Sequence, residues 1–286
     1  MLTAIRKSDK NKVFGSQIDK DIEAEYYCEY CGKIVIHHNP ESAVRIGHFK
    51  HKSNESLCPN ITGETEIHYK TKYDIFNYIK KGWSVNLKIL ELEKWICNNS
   101  VRPDIYIETP KGNRIAIEVQ ATILTVSEIK RRTEIYFNND IYVLWILPFE
   151  HGRIYEKVPI QNDYSKNGYE FVWEYREKVK LKEMEIFLYW AYLKKLLFWD
   201  IEHQDSDSFI CVSFSEYKGN SAEFIKDGID KYYSAKTAKT IKSTILVKKN
   251  IKFNQLSIRK IKEFNAPFRN YNIPNRRLFT FEENNK

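Results

Sequence analysis

The segment RPDIYIETPKGNRIAIEVQ, residues 102 to 120, sets Asp104, Glu118 and Gln120 into what otherwise reads as two apolar β-strands joined by the turn residues TPKGN. Asp104 follows Pro103 at the start of the first strand, and Glu118 and Gln120, two apart on the second, share one face of the sheet. A hairpin brings that face alongside Asp104. Two carboxylates converging at a sheet edge repel each other and are costly to bury unpaired, so a divalent cation between them is the natural partner. Hard oxygen ligands suit Mg²⁺ or Mn²⁺. Such an ion activates water and stabilises the charge that builds on a phosphodiester under attack, which is the chemistry of a nuclease.

A second constellation precedes it. Cys28 and Cys31, His48 and His51, and Cys58 place four or five soft-to-borderline ligands within 31 residues. Thiolate and imidazole together select zinc, and Gly32 suits the knuckle turn that carries the paired cysteines. One histidine is enough; His51 is favoured, with His48 as substitute, and His37 and His38 read as surface residues. A closed Cys3His site is structural and holds together a segment too small for its own core. Cys97 and Cys211 complete an odd set of five cysteines, which fits a metal site better than a disulfide framework.

These residues need elements to position them. ITGETEIHYKTKYDIFNYIKKGW reads as a helix from about Glu64 to Lys81, with Ile67, Ile75, Phe76 and Ile79 at helical spacing and Gly82 as its stop. Glu64, His68 and Lys72 form one polar stripe along it. Either Glu64 extends the metal shell while His68 positions a water or a phosphate, or the stripe is a solvated row of ion pairs. SVNLKILELEKW alternates as a strand, followed by the two strands of the hairpin. SEIKRRTEIYFNN, capped by Ser127, is an amphipathic helix whose Arg131, Arg132 and Tyr136 either meet phosphate or lie on the surface. IYVLWILP is a buried strand. The order is helix, three strands, helix, strand. After residue 150 the pattern changes: EKVKLKEMEIFLYWAYLKKLLFW reads as one apolar helix, DSFICVSFSEY and TILVKK as strands.

The net charge of +8 is unevenly placed: residues 231 to 280 hold thirteen Lys or Arg against one acid, Glu263. A polycationic, aromatic-bearing segment attracts phosphate backbones through counterion release, or is a solvated basic surface. Lys248, Lys249, Arg276 and Arg277 from this segment, with Lys72 and Arg102 from the first half, are the basic residues expected at nucleic acid. No stretch of about 18 apolar residues is present and the first residues lack an apolar signal region, so the expectation is a cytoplasmic protein with no membrane partner.

The Cys28/Cys31, His48-Phe49-Lys50-His51 and Cys58 cluster, the helix start GETEIHYKTK, and then RPDIYI, IEVQAT, RRTEIY and VLWIL resemble, in that order, the competence protein CoiA-like family of the PD-(D/E)XK nuclease superfamily. The resemblance covers residues 25 to 150; EIFLYWAYLKKLLFWD is similar to the family's later region. It implies an α/β, restriction-endonuclease-like core, a mixed sheet flanked by helices, over residues 61–150. A zinc-binding module at 1–60 precedes it and a helical, basic α+β region at 151–286 follows. It also implies that Asp104 and Glu118 bind the catalytic metal, that Gln120 stands where the superfamily usually has Lys, and that the protein processes incoming, recombining or foreign DNA. Two alternatives stay open: an adaptor that keeps the fold, binds DNA and recruits recombination or defence partners, and an enzyme acting on RNA.

Overall fold

The structure, a computed structural model, describes residues 1–18, 24–38, 47–51, 58, 64–149, 156–161, 173–202, 209–217, 222–226, 228–233, 242–266 and 271–281. In chain order come β1 (Thr3–Arg6), β2 (Lys12–Phe14), β3 (Tyr26–Tyr27), β4 (Ile34–His38), β5 (His48–His51), α1 (Glu66–Trp83), β6 (Ile89–Leu92), β7 (Ile105–Glu108), β8 (Arg114–Val119), α2 (Val126–Asn138) and β9 (Ile141–Phe149). There follow β10 (Glu156–Gln161), β11 (Trp173–Lys180), α3 (Glu183–Ala191), β12 (Leu196–Asp200), β13 (Phe209–Tyr217), β14 (Ala222–Lys226), β15 (Ile229–Tyr233) and β16 (Lys242–Ile251). The last strands are β17 (Leu256–Ile261), β18 (Phe264–Asn265), β19 (Asn272–Ile273) and β20 (Arg276–Phe281). The chain divides into two compact units, one of Met1–Pro148 with Leu256–Phe264 and Pro274–Lys286, the other of Phe149–Gln255 with Asn265–Ile273.

The first unit opens with an antiparallel sheet in the order β2-β1-β3-β4-β5. Its pleat turns Val35 and Phe49 inward onto Ala4, Val13, Tyr26, Cys28 and Cys58, and leaves Ile34 and Ile36 exposed. Gly15 and Gly47 let two backbone segments cross, since a Cβ on Gly15 would sit 2.5 Å from the Gly47 carbonyl oxygen.

Beside it lies a mixed sheet, β6-β7-β8 antiparallel and β8-β9 parallel. A parallel pair needs a crossover, and α2 supplies it. All nine residues of β9 are buried, which is why IYVLWILPF reads as an unbroken apolar run. Two returning strands complete the unit: β20 pairs parallel with β9 at Leu278 and Val143, and β17 pairs antiparallel with β20.

The order α1-β6-β7-β8-α2-β9 is the one that the sequence pattern implies, but both helices begin elsewhere. Thr65 caps α1 by accepting from His68 N at 3.3 Å, so Glu64 lies ahead of the helix. Thr125, not Ser127, caps α2, accepting from Glu128 N at 3.3 Å.

The second unit carries an antiparallel sheet in the order β10-β11-β16-β13-β12 and a separate β14-β15 hairpin. The single long helix expected from EKVKLKEMEIFLYWAYLKKLLFW is instead the end of β11, the nine-residue α3 and β12. Leu193 and Lys194 stop the helix by taking left-handed φ values of 58° and 63°. An apolar run without clear periodicity does not distinguish buried helix from buried strand. Lys248 and Lys249 are exposed on β16; of the polycationic segment, residues 234–241 and 267–270 lie outside the described residues. Among the described residues no helix is long and apolar enough to cross a membrane.

Ile117, fully buried on β8, measures how far the unit depends on the hairpin. Ile117→Ala should lower unfolding free energy by about 2–5 kcal/mol in urea denaturation. Ile123→Ala, at a side chain 75% exposed, should stay within about 0.5 kcal/mol of the parent.

Candidate functional site

The β7–β8 register pairs Ile105 with Ile117, so the next step sets Asp104 opposite Glu118. Both are buried, and they are held differently. Asp104 Oδ2 accepts from Val119 N at 2.8 Å, while Oδ1 faces α1, 3.0 Å from His68 Nε2 and 3.2 Å from Lys72 Nζ. The His68 contact is close but off the line of a hydrogen bond. Glu64 Oε1 lies 3.9 Å from the other nitrogen of that ring. Glu118 faces α2: Oε1 accepts from Tyr136 and Oε2 pairs with Arg132 at 3.0 Å.

The charges of the two carboxylates move apart accordingly. Burial alone would raise both. At Asp104 the His68 and Lys72 cations outweigh burial and hold the carboxyl well below its ordinary range. At Glu118 burial prevails over Arg132 and the value is raised. Burial would lower His68, but the Asp104 carboxylate overrides it and keeps the imidazole above its ordinary value.

Beneath them lies Lys72, whose side chain has no exposed surface. Its ammonium is 2.6 Å from Glu93 Oε1 and 3.3 Å from Glu64 Oε1, in addition to Asp104. Glu93 also accepts from Leu2 N at 3.1 Å and Thr3 Oγ1 at 3.1 Å, and Arg102 Nη1 approaches it at 3.6 Å. Three carboxylates, from the approach to α1, the end of β6 and the start of β7, thus meet on one buried cation.

Among the described residues, two groups of side chains bring their donor atoms within 4.8 Å of one another, Glu64 with His68 and Asp104, and Cys28 with Cys31, His51 and Cys58. In the second, the Cys28 and Cys58 sulfurs are 3.8 Å apart and Cys31 Sγ lies 3.3 Å from His51 Nε2. A tetrahedral zinc at about 2.3 Å from each thiolate spaces sulfurs at about 3.8 Å. Burial and the Lys33 charge lower the His51 pKa, favouring the neutral ring that a metal requires. This donor set could bind zinc. In the first group, the 3.0 Å between His68 Nε2 and Asp104 Oδ1 equals the edge of an octahedron with ligands at about 2.1 Å.

Residues 64–226, more than half of the chain, match the family model described as "Competence protein CoiA, nuclease-like domain". The chain belongs to the competence protein CoiA family. It is 25% identical over 143 residues to competence protein CoiA of Bacillus subtilis (strain 168), covering 48% of this chain and 35% of that protein. It therefore spans about a third of the length of the curated relative it matches. No solved structure matches it.

Within this CoiA nuclease-like domain, the structure brings together Asp104, His68, Glu64 and Lys72, and seats Glu118 beside Asp104 but turned to α2. Gln120 lies just past β8, its Nε2 donating to Thr122 O at 2.7 Å. His48 is not in the thiol group; its ring stacks on His38 and Tyr69. Of the basic residues expected at phosphate, Lys72 is buried among carboxylates, and Arg276 is buried with its Nη1 donating to Pro274 O at 3.2 Å. Arg277 pairs with Asp140, and Arg102 packs on Trp95 with its guanidinium 5.5 Å from the ring centroid. Arg131 is bidentate on Glu128 at 2.7 Å for both contacts, and its charge together with Arg132 holds that carboxyl down at about 2. Arg132, about one-third exposed, reaches both Glu128 and Glu118.

Sequence reasoning missed Glu93. Its partners Leu2 and Thr3 are some ninety positions away, and the local cue was only that a second acid follows Glu91 in ELEKW. Tyr136, expected at phosphate or on the surface, is instead wholly buried against Glu118.

Removing the central cation should expose this dependence. Lys72→Met leaves three carboxylates facing one another and should cost about 3–5 kcal/mol near neutral pH. Asp104 and Glu64 have lowered values, so their stabilisation is fully present above the ordinary carboxylate range and is lost as pH falls below that range through their lower folded values. The deficit should therefore shrink in acid, as read by denaturant titrations at several pH values.

Proposed function

We propose that this protein is a metal-dependent nuclease that hydrolyses phosphodiester bonds of DNA, with a PD-(D/E)XK-type core behind an N-terminal zinc module. The observation that carries the reading is the convergence of Glu64, His68 and Asp104 at one end of the β7–β8 hairpin, with Glu118 across the strand pair. Membership in a family whose model is described as nuclease-like supports it. So does the likeness to the Bacillus subtilis relative, which is named a competence protein.

The donors fit a hard or borderline divalent ion, two carboxylates and one imidazole. The imidazole favours Mn²⁺ over Mg²⁺. Asp104, His68 and Glu64 would hold the ion, His68 giving up to solvent the proton that Asp104 otherwise stabilises, with Glu118 beside it. When bound, the ion supplies Lewis acidity and an activated water. Asp104 is ionised throughout the physiological range and needs no proton loss to serve as a ligand. Glu118, with its raised value, takes up a proton more readily and suits a proton-accepting role next to the reacting phosphate. Arg132 neutralises charge on that phosphate, and Gln120, neutral, orients a water or phosphate oxygen through hydrogen bonds. Cys28, Cys31, His51 and Cys58 hold a structural zinc. The exposed Lys248 and Lys249 add nonspecific attraction to the backbone.

A second reading, a DNA-binding adaptor without turnover that recruits recombination or defence proteins, is favoured by one observation. The Lys72 ammonium lies 3.2 Å from the same Asp104 oxygen that would face the ion.

Asp104→Asn should abolish cleavage of labelled single- and double-stranded DNA in Mn²⁺ or Mg²⁺, with circular dichroism and zinc content unchanged. Cleavage at the parent rate would overturn the nuclease assignment; binding without turnover by the parent in every metal tried would favour the adaptor. Elemental analysis should find one zinc per chain, and Cys58→Ser should lose it and unfold at lower denaturant. A stable, metal-free parent would dismiss the zinc module.

A further inference from the structure

The β4–β5 hairpin does more than carry His51. Its register pairs His38 directly with His48, and their rings stack with centroids 5.6 Å apart at 18°. His48 continues onto Tyr69 of α1 at 5.0 Å and 22°, and Tyr69 lies nearly parallel to His68 at 6.5 Å and 13°. His68 ends the row, 3.0 Å from Asp104. Four near-parallel rings thus run from an exposed side chain, His38, to the acidic cluster.

The pleat explains how the row is presented. Val35 and Phe49 point into the core, so Ile34, Ile36 and His38 on one strand and His48 and Lys50 on the other share the outward face. Ile36 is 46% exposed and pairs across the strands with the exposed Lys50. The face therefore offers flat rings, an aliphatic surface and an ammonium side by side. Nucleobases stack on such rings whatever their identity, and the backbone that connects them meets the cation. In a duplex the base faces are already covered by one another. An unpaired strand presents them.

We propose that this face is a stacking site for the bases of single-stranded DNA, continuing the ring column at His38 and leading the strand toward Asp104. The proposal rests on the nuclease reading for its direction, though not for the binding itself. It also gives His48 and His38 a use that the zinc ligands leave over.

The test uses the full zinc-loaded chain in Ca²⁺, with a labelled single-stranded oligothymidine, an abasic oligonucleotide of the same length, and a strand containing 2-aminopurine. His38→Ala should weaken oligothymidine binding about 10-fold, leave the abasic strand unaffected and remove the 2-aminopurine quenching seen with the parent. His38→Phe, which keeps a flat ring, should restore both. Equal affinity of parent and His38→Ala for oligothymidine would overturn the proposal, and so would an equal loss on the abasic strand. Cleavage in Mn²⁺ is scored separately. A parent that cleaves but shows no base-dependent contrast defeats the stacking site alone, whereas a contrast without cleavage defeats the nuclease reading alone.

Discussion

A lysine ammonium with no exposed surface is expensive, several kcal/mol even after the protein relaxes around it, and it persists only where its partners are close and themselves satisfied. Lys72 meets that condition with three carboxylates at 2.6 to 3.3 Å. Each carboxylate belongs to a different element, so the cation fixes where α1, the end of β6 and the start of β7 stand relative to one another. Glu93 extends the constraint: it takes the backbone amide of Leu2 and the hydroxyl of Thr3, which fastens β1 to the same point. To do so it adopts a left-handed φ of 52°, a conformation that a side chain of its kind enters only where the surroundings hold it. The four-stranded framework around Asp104 and the small N-terminal sheet share one electrostatic anchor.

That anchor sets the difference between the two cross-strand carboxylates. Asp104 lies on the side of α1, where His68 and Lys72 keep it ionised; Glu118 lies on the side of α2, where Arg132 and Tyr136 do not fully offset its burial. Neighbouring titratable groups whose surroundings push them in opposite directions can divide the labour of ligand and proton acceptor. A strand pair alone places both carboxylates symmetrically. The asymmetry comes from the helices packed above it, one bearing His68 and Lys72 four residues apart, the other Arg132 and Tyr136 four residues apart.

Much of this was legible in the sequence, and for identifiable reasons. The hairpin was, because alternation and the turn TPKGN are local signals. The thiol cluster was, because four donors fall within 31 residues. The helical stripe of Glu64, His68 and Lys72 showed its spacing but not its surroundings: spacing says that three side chains share a face, and only packing says whether that face meets water. Lys72 and Tyr136 were accordingly expected at phosphate or on the surface, and both are buried. Glu93 had no local signature, since its partners come from β1, α1 and the loop before β7. The apolar stretch near residue 190 failed for another reason, that a continuous hydrophobic run carries no period, and two left-handed residues decided where helix gave way to strand.

The distribution of positive charge follows from the same geometry. Gln120 is neutral and its amide is engaged by Thr122, so the end of β8 contributes no cation. Charge reaches Asp104 from one helix and Glu118 from the other, at two depths. Lys72 is sealed among carboxylates and sets where they stand. Arg132 has about a third of its side chain in solvent and five donors, of which Glu118 and Glu128 engage only some. Because guanidinium donors are arrayed in a plane, Arg132 can bind a further oxygen without releasing Glu118, whereas Lys72 could reach one only by giving up its contacts with three carboxylates. The division between a cation that organises and a cation that touches is therefore set by burial rather than by residue type or sequence position.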